Sequence, residues 1–320
     1  MNILSLEHLT HSYTERQLFD DADFYLHEGD KVGVIGINGT GKSTLLKIMA
    51  GLETPDEGQV IQASNLMIHY LPQNPEFSED DTVLQSVQNM VHHHANENEL
   101  MAAKAMLTRL GITDFEQKTR ELSGGQRKRL ALVSVLITPC DVLILDEPTN
   151  HLDSEMADWL ENKLQAFRGA LVMVTHDRYF LDSVTNKIIE LDKGKIYSYD
   201  EKYSGFLQRK AEREESARAS ERKRQSILRK EIEWISRGAR ARSTKQKAHI
   251  QRYEALKNQK APEVDEKLQL SSISSRMGKT TIEIENVSKA YGENTLICDF
   301  SYIFPVSYTH LRAHETELHL

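Results

Sequence analysis

Residues 36–43 read Gly36-Ile37-Asn38-Gly39-Thr40-Gly41-Lys42-Ser43 and follow directly on an apolar run at residues 32–35. That run is typical of a buried strand, and residues 44–50 behind the motif are predicted to form a helix. The glycines let the backbone curl so that successive N–H groups point at a polyphosphate, and the helix N-terminus adds the positive end of its dipole. The segment therefore predicts a nucleoside triphosphate site.

Particular roles follow for the residues of this phosphate loop. We expect Lys42 to reach the β- and γ-phosphates and the Ser43 hydroxyl to ligate Mg²⁺. The other loop residues would hold the phosphates through backbone N–H groups. The nucleotide-binding residues predicted from this segment are Gly36, Ile37, Asn38, Gly39, Thr40, Gly41, Lys42, Ser43 and Thr44.

The composition sets the cellular context. The chain has 320 residues, which is room for two domains or for one domain with a substantial appendage. No stretch approaches the roughly 18 apolar residues of a membrane span, and the N-terminus lacks a signal peptide, so we expect a cytoplasmic protein without a membrane partner. Cys140 and Cys298 lie far apart and predict neither a disulfide framework nor a zinc site.

Basic residues are concentrated in one part of the chain. Residues 201–260 hold 18 Lys/Arg against 8 Asp/Glu, although the whole chain carries a net charge of −8. A like-charged cluster repels itself and is best explained by contact with phosphates, so we predict RNA binding; a solvated spacer is the alternative. The predicted nucleic-acid-binding residues are Arg237, Arg240, Arg242, Lys245 and Lys247.

The pattern of apolar runs predicts the fold class. Strands are expected near residues 3–6, 32–35, 67–71, 142–145, 171–174 and 188–191, and helices at 44–50, 126–137 and 155–167. Short apolar runs alternating with helices are typical of an α/β domain with a parallel core sheet. We place this nucleotide-binding domain at residues 1–200.

A helical hairpin is predicted to follow that domain. Residues 203–260 contain few Gly or Pro and are interrupted only around residues 236–238, which indicates two long helices joined at a basic turn. We place this linker at 201–262 and a loop at 263–280.

An internal repeat begins after the loop. With a shift of 278 residues, Leu6 aligns with Ile284 and Tyr13 with Tyr291, without a gap. Residues 281–304 are therefore predicted to be the first strands of a second copy of the domain, which this chain does not continue. Residues 305–320 resemble foreign translated sequence such as a cloning adaptor; a divergent but genuine terminus is the alternative.

Polar residues at the ends of predicted strands supply candidate catalytic groups. Asp146 and Glu147 follow the strand at 142–145, where Asp146 would hold Mg²⁺ and Glu147 would act as general base toward water. Gln73 lies just past another strand and would bind Mg²⁺ or the water. His176 follows the strand at 171–174 and would donate to the γ-phosphate. Tyr13 would stack on adenine.

A second anion site is predicted at residues 123–126. Ser123, Gly124, Gly125 and Gln126 form a turn that opens the helix ending near residue 137, with a hydroxyl and N–H groups suited to phosphate. One domain with two phosphate-facing helix N-termini indicates that the second site serves a different nucleotide.

These motifs, taken in order, resemble those of ATP-binding-cassette ATPases. The resemblance rests on the phosphate loop, Gln73, the turn at 122–126, the run from Asp146 to Asp153, and the segment 175–178. It implies a P-loop NTPase with a helical subdomain, in which two cassettes pack head to tail and the Ser123 turn of one covers ATP held by the other. Asp153 would then lie in the loop at the interface. A monomer of this chain would hydrolyse ATP weakly, and an ATP-dependent homodimer would complete the site.

The branch resembled is the ABC-F family, including its Uup-type members. The run Glu147-Pro148-Thr149-Asn150-His151-Leu152-Asp153 and the linker segment 231–247 carry this resemblance, which covers about residues 1–304. It implies an ATPase that acts in translation on ribosomes, with the linker reaching tRNA or ribosomal RNA; Uup-type members are also linked to branched DNA. About 49 residues separate Gln73 from Ser123, which leaves little room for the helical arm of some members and leaves the subtype open.

Three alternatives stay open at this point. The chain is either such a translation factor, the nucleotide-binding subunit of a transporter, or a nucleic-acid-binding module with a vestigial ATPase. The triplet at residues 92–94, all histidines, is expected to be a solvated surface and not a metal site.

Overall fold

The structure is a computed structural model that describes residues 1–13, 16–90, 97–236, 251, 253–258, 280–291 and 294–305. The chain divides into two compact units, residues 1–260 and residues 261–320. The predicted linker tip with Arg237, Arg240, Arg242, Lys245 and Lys247, the histidine triplet, most of the predicted loop and residues 306–320 lie outside the described residues.

A six-stranded sheet forms the centre of the first unit. Its order is β5 (Ile68–Leu71), β6 (Val142–Asp146), β7 (Ala170–Val174), β3 (Lys31–Ile35), β8 (Lys187–Asp192) and β9 (Lys195–Tyr199). The first five strands run parallel, and β9 pairs antiparallel with β8. The predicted parallel core sheet is confirmed, and the carboxyl ends of its strands share one edge.

A second, antiparallel sheet covers one face of the first. It has the order β2 (Arg16–His27), β1 (Asn2–Tyr13) and β4 (Glu57–Gln62). The pairing of β1 with β2 is irregular, and the two strands bend at His8 and Asp21, whose φ angles are positive at 54° and 49°. Gly58 of β4 faces the first bend, where a Cβ atom would lie 2.5 Å from the His8 carbonyl oxygen.

Seven α-helices with defined bounds are described, together with one short 3-10 helix at Thr119–Glu121. The α-helices are α1 (Lys42–Met49), α2 (Val83–Met90), α3 (Glu97–Arg109), α4 (Gly124–Ile137), α5 (Ser154–Ala166), α6 (Arg178–Val184) and α7 (Tyr203–Ser236). The helices predicted at 44–50, 126–137 and 155–167 correspond to α1, α4 and α5 with ends shifted by one or two residues. In the described part of the chain, none of these helices has the length and apolar character needed to cross a bilayer.

Two apolar cores lie on opposite faces of the parallel sheet. Leu143 and Leu145 of β6 belong to the core shared with α2–α5, whereas Val142 and Ile144 belong to the core shared with α1 and the antiparallel sheet. This is the period-two alternation of a strand buried on both faces. Because both faces are covered, the strand ends are the part of the sheet that remains open for chemistry.

The second unit contains an antiparallel hairpin of β10 (Thr280–Tyr291) and β11 (Asn294–Pro305). Each strand begins and ends 278 residues after its counterpart in the β1–β2 pair, and the pairing register is the same. Even the two positive φ angles recur, at Asn286 and Asp299. The internal repeat seen in the sequence is therefore also a repeat of backbone geometry.

Candidate functional site

A cavity of about 440 Å³ lies at the carboxyl ends of the parallel strands. Its lining includes residues predicted separately from five segments of the chain: the end of β1, the phosphate loop, and the ends of β5, β6 and β7. The lining residues are Tyr13, Leu18, Asn38, Gly39, Gly41, Lys42, Ser43, Thr44, Gln73, Asp146, Glu147, Val174 and His176.

The phosphate loop connects β3 to α1 and depends on glycine. Gly39 and Gly41 have φ angles of 81° and 94°, which residues with a Cβ atom adopt only under strain, and Gly41 is the N-cap of α1. Lys42 Nζ donates to the carbonyl oxygens of Gly36 at 2.8 Å and Ile37 at 3.2 Å. Burial lowers the pKa of Lys42, and the nearby charges of Glu147 and Asp146 oppose that effect. The ammonium is thus held at the loop by weak acceptors that a phosphate can replace.

Two buried carboxylates stand at the end of β6. Asp146 is its last residue, and Glu147 follows with a φ angle of 53°; their exposed fractions are 1% and 4%. The Glu147 N–H donates to the Val174 carbonyl at 2.8 Å, which ties this turn to the end of β7. Burial raises the pKa of both carboxyl groups, opposed at Asp146 by a hydrogen bond from Ser43 and at Glu147 by the charge of His176.

Each carboxylate keeps one oxygen without a hydrogen-bond partner among the described residues, Asp146 Oδ2 and Glu147 Oε2. A buried carboxylate oxygen without a partner is costly and indicates an absent ligand or water. Ser43 and Gln73 line the same cavity as the two carboxylates. These oxygen donors fit Mg²⁺, which takes one or two carboxylates together with waters and substrate phosphates. No cluster of three or more His, Cys, Asp and Glu side chains suited to a metal occurs within the described ranges.

His176 faces the general-base candidate. Its Nε2 atom lies 3.3 Å from Glu147 Oε1, and 68% of its side chain is exposed toward the mouth of the site. The segment behind it is rigid because Asp177 caps α6 through the Phe180 N–H and because the Thr175 and Thr149 hydroxyls lie 2.8 Å apart. The imidazole therefore has both an anchor in the site and a free approach for a ligand.

Tyr13 forms one wall of the cavity. It is the last residue of β1, and 48% of it is exposed. Its hydroxyl donates to Glu53 Oε1, and this hydrogen bond is the main reason that the Tyr13 pKa lies above its ordinary value. The ring is thus placed beside the phosphate loop in a position open to a base.

The turn at residues 123–126 does not line this cavity. Ser123 Oγ accepts the Gln126 N–H at 3.3 Å, and Gln126 Oε1 accepts the Ser123 N–H at 2.9 Å, so the pair caps α4 reciprocally. Gly124 and Gly125 start the helix, and Asp153 caps α5 by accepting the Met156 N–H at 2.9 Å. That these residues serve a nucleotide other than the one beside Lys42 stays a prediction. Gly36, Ile37 and Thr40 of the phosphate loop are likewise not among the lining residues of the cavity.

Several residues near the site were missed by sequence reasoning. Leu18 and Val174 line the cavity, and the Arg16 guanidinium lies against Gly39. Lys128 of α4 is 5% exposed; burial lowers its pKa, while the charges of Glu147 and Asp146 raise it. Only the tertiary packing of α4 against the sheet brings this lysine near the carboxylates, so no local pattern predicts it.

Comparison with known proteins identifies the fold. Two family models, both described as ABC transporter, match residues 19–150 and 189–271. The chain belongs to the ATP-binding-cassette family. A dimeric, post-hydrolysis structure of the cassette MJ0796 bound to ADP and Pi superposes with a TM-score of 0.55 at 24% identity, covering 62% of this chain and 98% of that one. At this identity the likeness shows the cassette fold alone.

Two curated relatives of this cassette protein agree with the predicted ABC-F assignment. YfmR of Bacillus subtilis, described as an uncharacterized ABC transporter ATP-binding protein, is 42% identical over 94% of this chain and 54% of its own length. The energy-dependent translational throttle protein EttA of Haemophilus influenzae is 35% identical over 91% of this chain and 59% of its own length. The cassette chain therefore spans just over half the length of these relatives.

Proposed function

We propose that this chain is an ABC-F ATPase that hydrolyses ATP to ADP and phosphate and acts on ribosomes through its linker. The observation that carries the proposal is the single cavity in which Lys42, Ser43, Glu147 and His176 meet at one end of the parallel sheet. Phosphoryl transfer needs little from a protein beyond positioned charges and an oriented water, and this cavity supplies both kinds of group.

Each side chain has one task in this proposal. Lys42 leaves its backbone acceptors and binds the β- and γ-phosphates, next to the N-terminus of α1. Glu147 Oε2 accepts a proton from the water whose oxygen attacks the γ-phosphorus, and ADP is the leaving group. His176 donates to the γ-phosphate and stays oriented by Glu147. Tyr13 stacks on adenine.

Ser43, Asp146 and Gln73 would hold Mg²⁺. When bound, the ion neutralises charge on the β- and γ-phosphate oxygens. Ser43, Gln73 and Asp146 line the same cavity, which supports a shared ligand.

The proposal that the chain acts on ribosomes rests on the basic residues of the linker and on the similarity of the chain to EttA. The basic residues predicted to contact tRNA or ribosomal RNA follow α7, and the relative EttA is named as a translational throttle protein. These relatives give no support to branched DNA as a partner. The description of the matching family as ABC transporter supports a second candidate, a transporter's nucleotide-binding subunit. Such a subunit would copurify with membranes from a lysate, whereas a translation factor would copurify with ribosomes.

Titration with mant-ATP in the presence of Mg²⁺ tests the nucleotide site. Lys42→Ala removes the charge that contacts the phosphates, so we expect its affinity to fall about ten-fold or more. Lys47→Ala, on the same helix, is the matched control and should bind as wild type does. Equal affinities of wild type and Lys42→Ala would refute the site.

Cosedimentation with ribosomes over a range of salt concentrations tests the linker. Changing Arg240, Arg242 and Lys245 together to Gln should flatten the log–log salt dependence by about three units, because each lost phosphate contact removes close to one. A control with the same net charge changes three exposed basic residues of α7 to Gln, namely Arg218, Arg222 and Lys223. A slope that is the same for both triple variants would leave the linker as a spacer.

A further inference from the structure

A carboxylate outside the cavity holds the Tyr13 side chain. Glu53 lies between α1 and β4, and its Oε1 atom accepts the hydrogen bond from the Tyr13 hydroxyl. The Glu53 side chain is only 19% exposed and does not itself line the cavity. It therefore acts on the site through the tyrosine ring and not through direct contact with a ligand in the described cavity.

A second group from β1 fixes this carboxylate. His11 Nε2 lies 3.1 Å from the same Glu53 oxygen, and the His11 side chain is 7% exposed. The imidazole also packs edge-on against the Tyr13 ring, with 5.2 Å between ring centroids and 79° between planes. His11, Glu53 and Tyr13 thus form a closed triangle in which each member contacts the other two.

The loop that carries Glu53 is attached to β1 at one more point. Asp56 Oδ2 accepts the Ser12 N–H at 2.8 Å, and Asp56 Oδ1 lies 3.5 Å from His11 Nδ1. Two acids of one short loop therefore contact three consecutive residues at the end of β1. Such a double attachment fixes the position of Glu53 relative to the backbone of Tyr13.

We propose that Glu53 is a positioning residue for the nucleobase: it holds the Tyr13 ring in the plane that a base stacks on. This inference rests on the proposed ATP site. An aromatic side chain that is ordered before binding loses less conformational entropy when a base covers it, and the gain appears as affinity. Since stacking accepts any base, the effect concerns the presence of a base and not its identity.

The test compares a ligand that has a base with one that does not. Binding of ATP and of inorganic tripolyphosphate, both with Mg²⁺, is measured by calorimetry for wild type and Glu53→Ala. We expect the affinity for ATP to fall about three- to ten-fold, the effect of one hydrogen bond, and the affinity for tripolyphosphate to stay the same. Glu53→Gln, whose amide oxygen still accepts from Tyr13, should restore ATP binding. Glu57→Ala, an exposed acid of β4, is the control.

Tyr13→Phe keeps the ring and removes the hydroxyl, so it tests the same contact from the other side. It should weaken ATP binding as much as Glu53→Ala, and the double variant should show no further loss because both changes remove the same hydrogen bond between Tyr13 and Glu53. A Glu53→Ala variant that binds ATP as wild type does would overturn the proposal. So would an equal loss for both ligands, which would indicate a structural role for the loop.

The proposed function fails in a different way. If Lys42→Ala leaves the binding of both ATP and tripolyphosphate unchanged, the phosphate site itself is wrong, whatever Glu53 does. If Lys42→Ala weakens both ligands and Glu53→Ala weakens neither, the ATP site stands and only the positioning role is excluded.

Discussion

Glu147 combines two features that oppose stability. Its φ angle of 53° places a residue with a Cβ atom in the left-handed region, and its carboxylate is buried with one oxygen that lacks a partner in the described structure. Strain of this kind costs of order 1–3 kcal/mol and persists where the surroundings impose it. Here the hydrogen bond from the Glu147 N–H to the Val174 carbonyl, between the ends of β6 and β7, imposes it.

The buried carboxylate predicts a stability that depends on pH. Burial raises the Glu147 pKa in the folded state, so the native carboxylate is disfavoured once pH exceeds the pKa of the unfolded chain. This cost is absent in acid, grows as pH rises toward the folded pKa and is then constant. In metal- and nucleotide-free buffer, Glu147→Gln should therefore have a higher melting temperature than wild type. The expected rise is about 2–4 °C for each kcal/mol gained in the free energy of unfolding. Thermal melts between pH 4 and pH 8 measure the difference in melting temperature between the variant and wild type, which should increase with pH.

An exposed acid serves as the control for this measurement. Glu79→Gln changes a side chain in a surface loop and should shift the melting curve little at any pH. A Glu147→Gln variant that is less stable than wild type at pH 8 would show that the carboxylate makes a favourable contact in the native state.

Sequence motifs located most polar residues that line the cavity but not the residues that support them. The phosphate loop, Gln73, Asp146, Glu147 and His176 were predicted because each belongs to a local pattern at a strand end, and the structure brings them into one cavity. Glu53 and Lys128 were missed since their partners lie far away in sequence. A hydrogen bond across 40 residues follows from the pairing of β1 with β4, which a local pattern does not contain.

At the scale of elements, the first turns of α7 are fastened to the sheet by a buried ion cluster. Glu190 of β8 is 4% exposed and accepts from Lys210 Nζ at 2.6 Å and from Arg213 Nη2 at 2.9 Å. The Arg213 guanidinium also lies 3.8 Å from the ring centre of Tyr197 on β9. Leu191, next to Glu190, contacts the phosphate loop at Gly36. One strand thus connects the nucleotide site with the linker helix.

Removal of the shared acceptor should release this end of α7. Glu190→Ala leaves Lys210 and Arg213 without their main partner, and because both are partly exposed we expect a cost of about 1–2 kcal/mol. Hydrogen exchange should show faster exchange in the first three turns of α7 and unchanged protection in β6 and β7.

Glu215→Gln is the control, since it changes an exposed acid of the same helix. Unchanged protection of α7 in Glu190→Ala would mean that Phe206, which is buried against Tyr199, holds the helix without help from the ions.

Strands buried on both faces were the easiest to predict from the sequence, whereas the alternating strand β2 was missed. Strands buried on both faces, such as β6 and β7, appear in the sequence as apolar runs. The helix α7 was predictable because its sequence contains few helix-breaking residues. β4 and β9 were missed because their residues are mostly exposed or only partly buried, so neither carries an apolar run. Pairing with a neighbouring strand decides their structure, and pairing is a tertiary property.

At the scale of the whole molecule, each chain offers one cavity beside Lys42 and one separate turn at Ser123. Two copies related by a two-fold axis would place the turn of each over the nucleotide of the other. Such a dimer would be held mainly by the shared ATP and would dissociate after hydrolysis. We expect Glu147→Gln with Mg-ATP to be dimeric by light scattering, and wild type with ADP to be monomeric.

The double variant Glu147→Gln, Lys42→Ala provides the control for this dimer, because it cannot retain the nucleotide and should stay monomeric. A Glu147→Gln variant that stays monomeric at high concentration and saturating ATP would show that the cavity and the turn of this chain do not complete each other.

The hairpin of the second unit repeats a buried structure in an exposed setting. Leu9, Phe19 and Phe24 are at most 1% exposed, whereas their counterparts Val287, Ile297 and Tyr302 are 42%, 42% and 50% exposed. A lone two-stranded hairpin is marginal in water, and uncovered apolar strands are the surfaces that chaperones and proteases engage. Until another surface covers this hairpin, the lifetime of the chain in a cell depends on β10 and β11 and not on the stability of the cassette that precedes them.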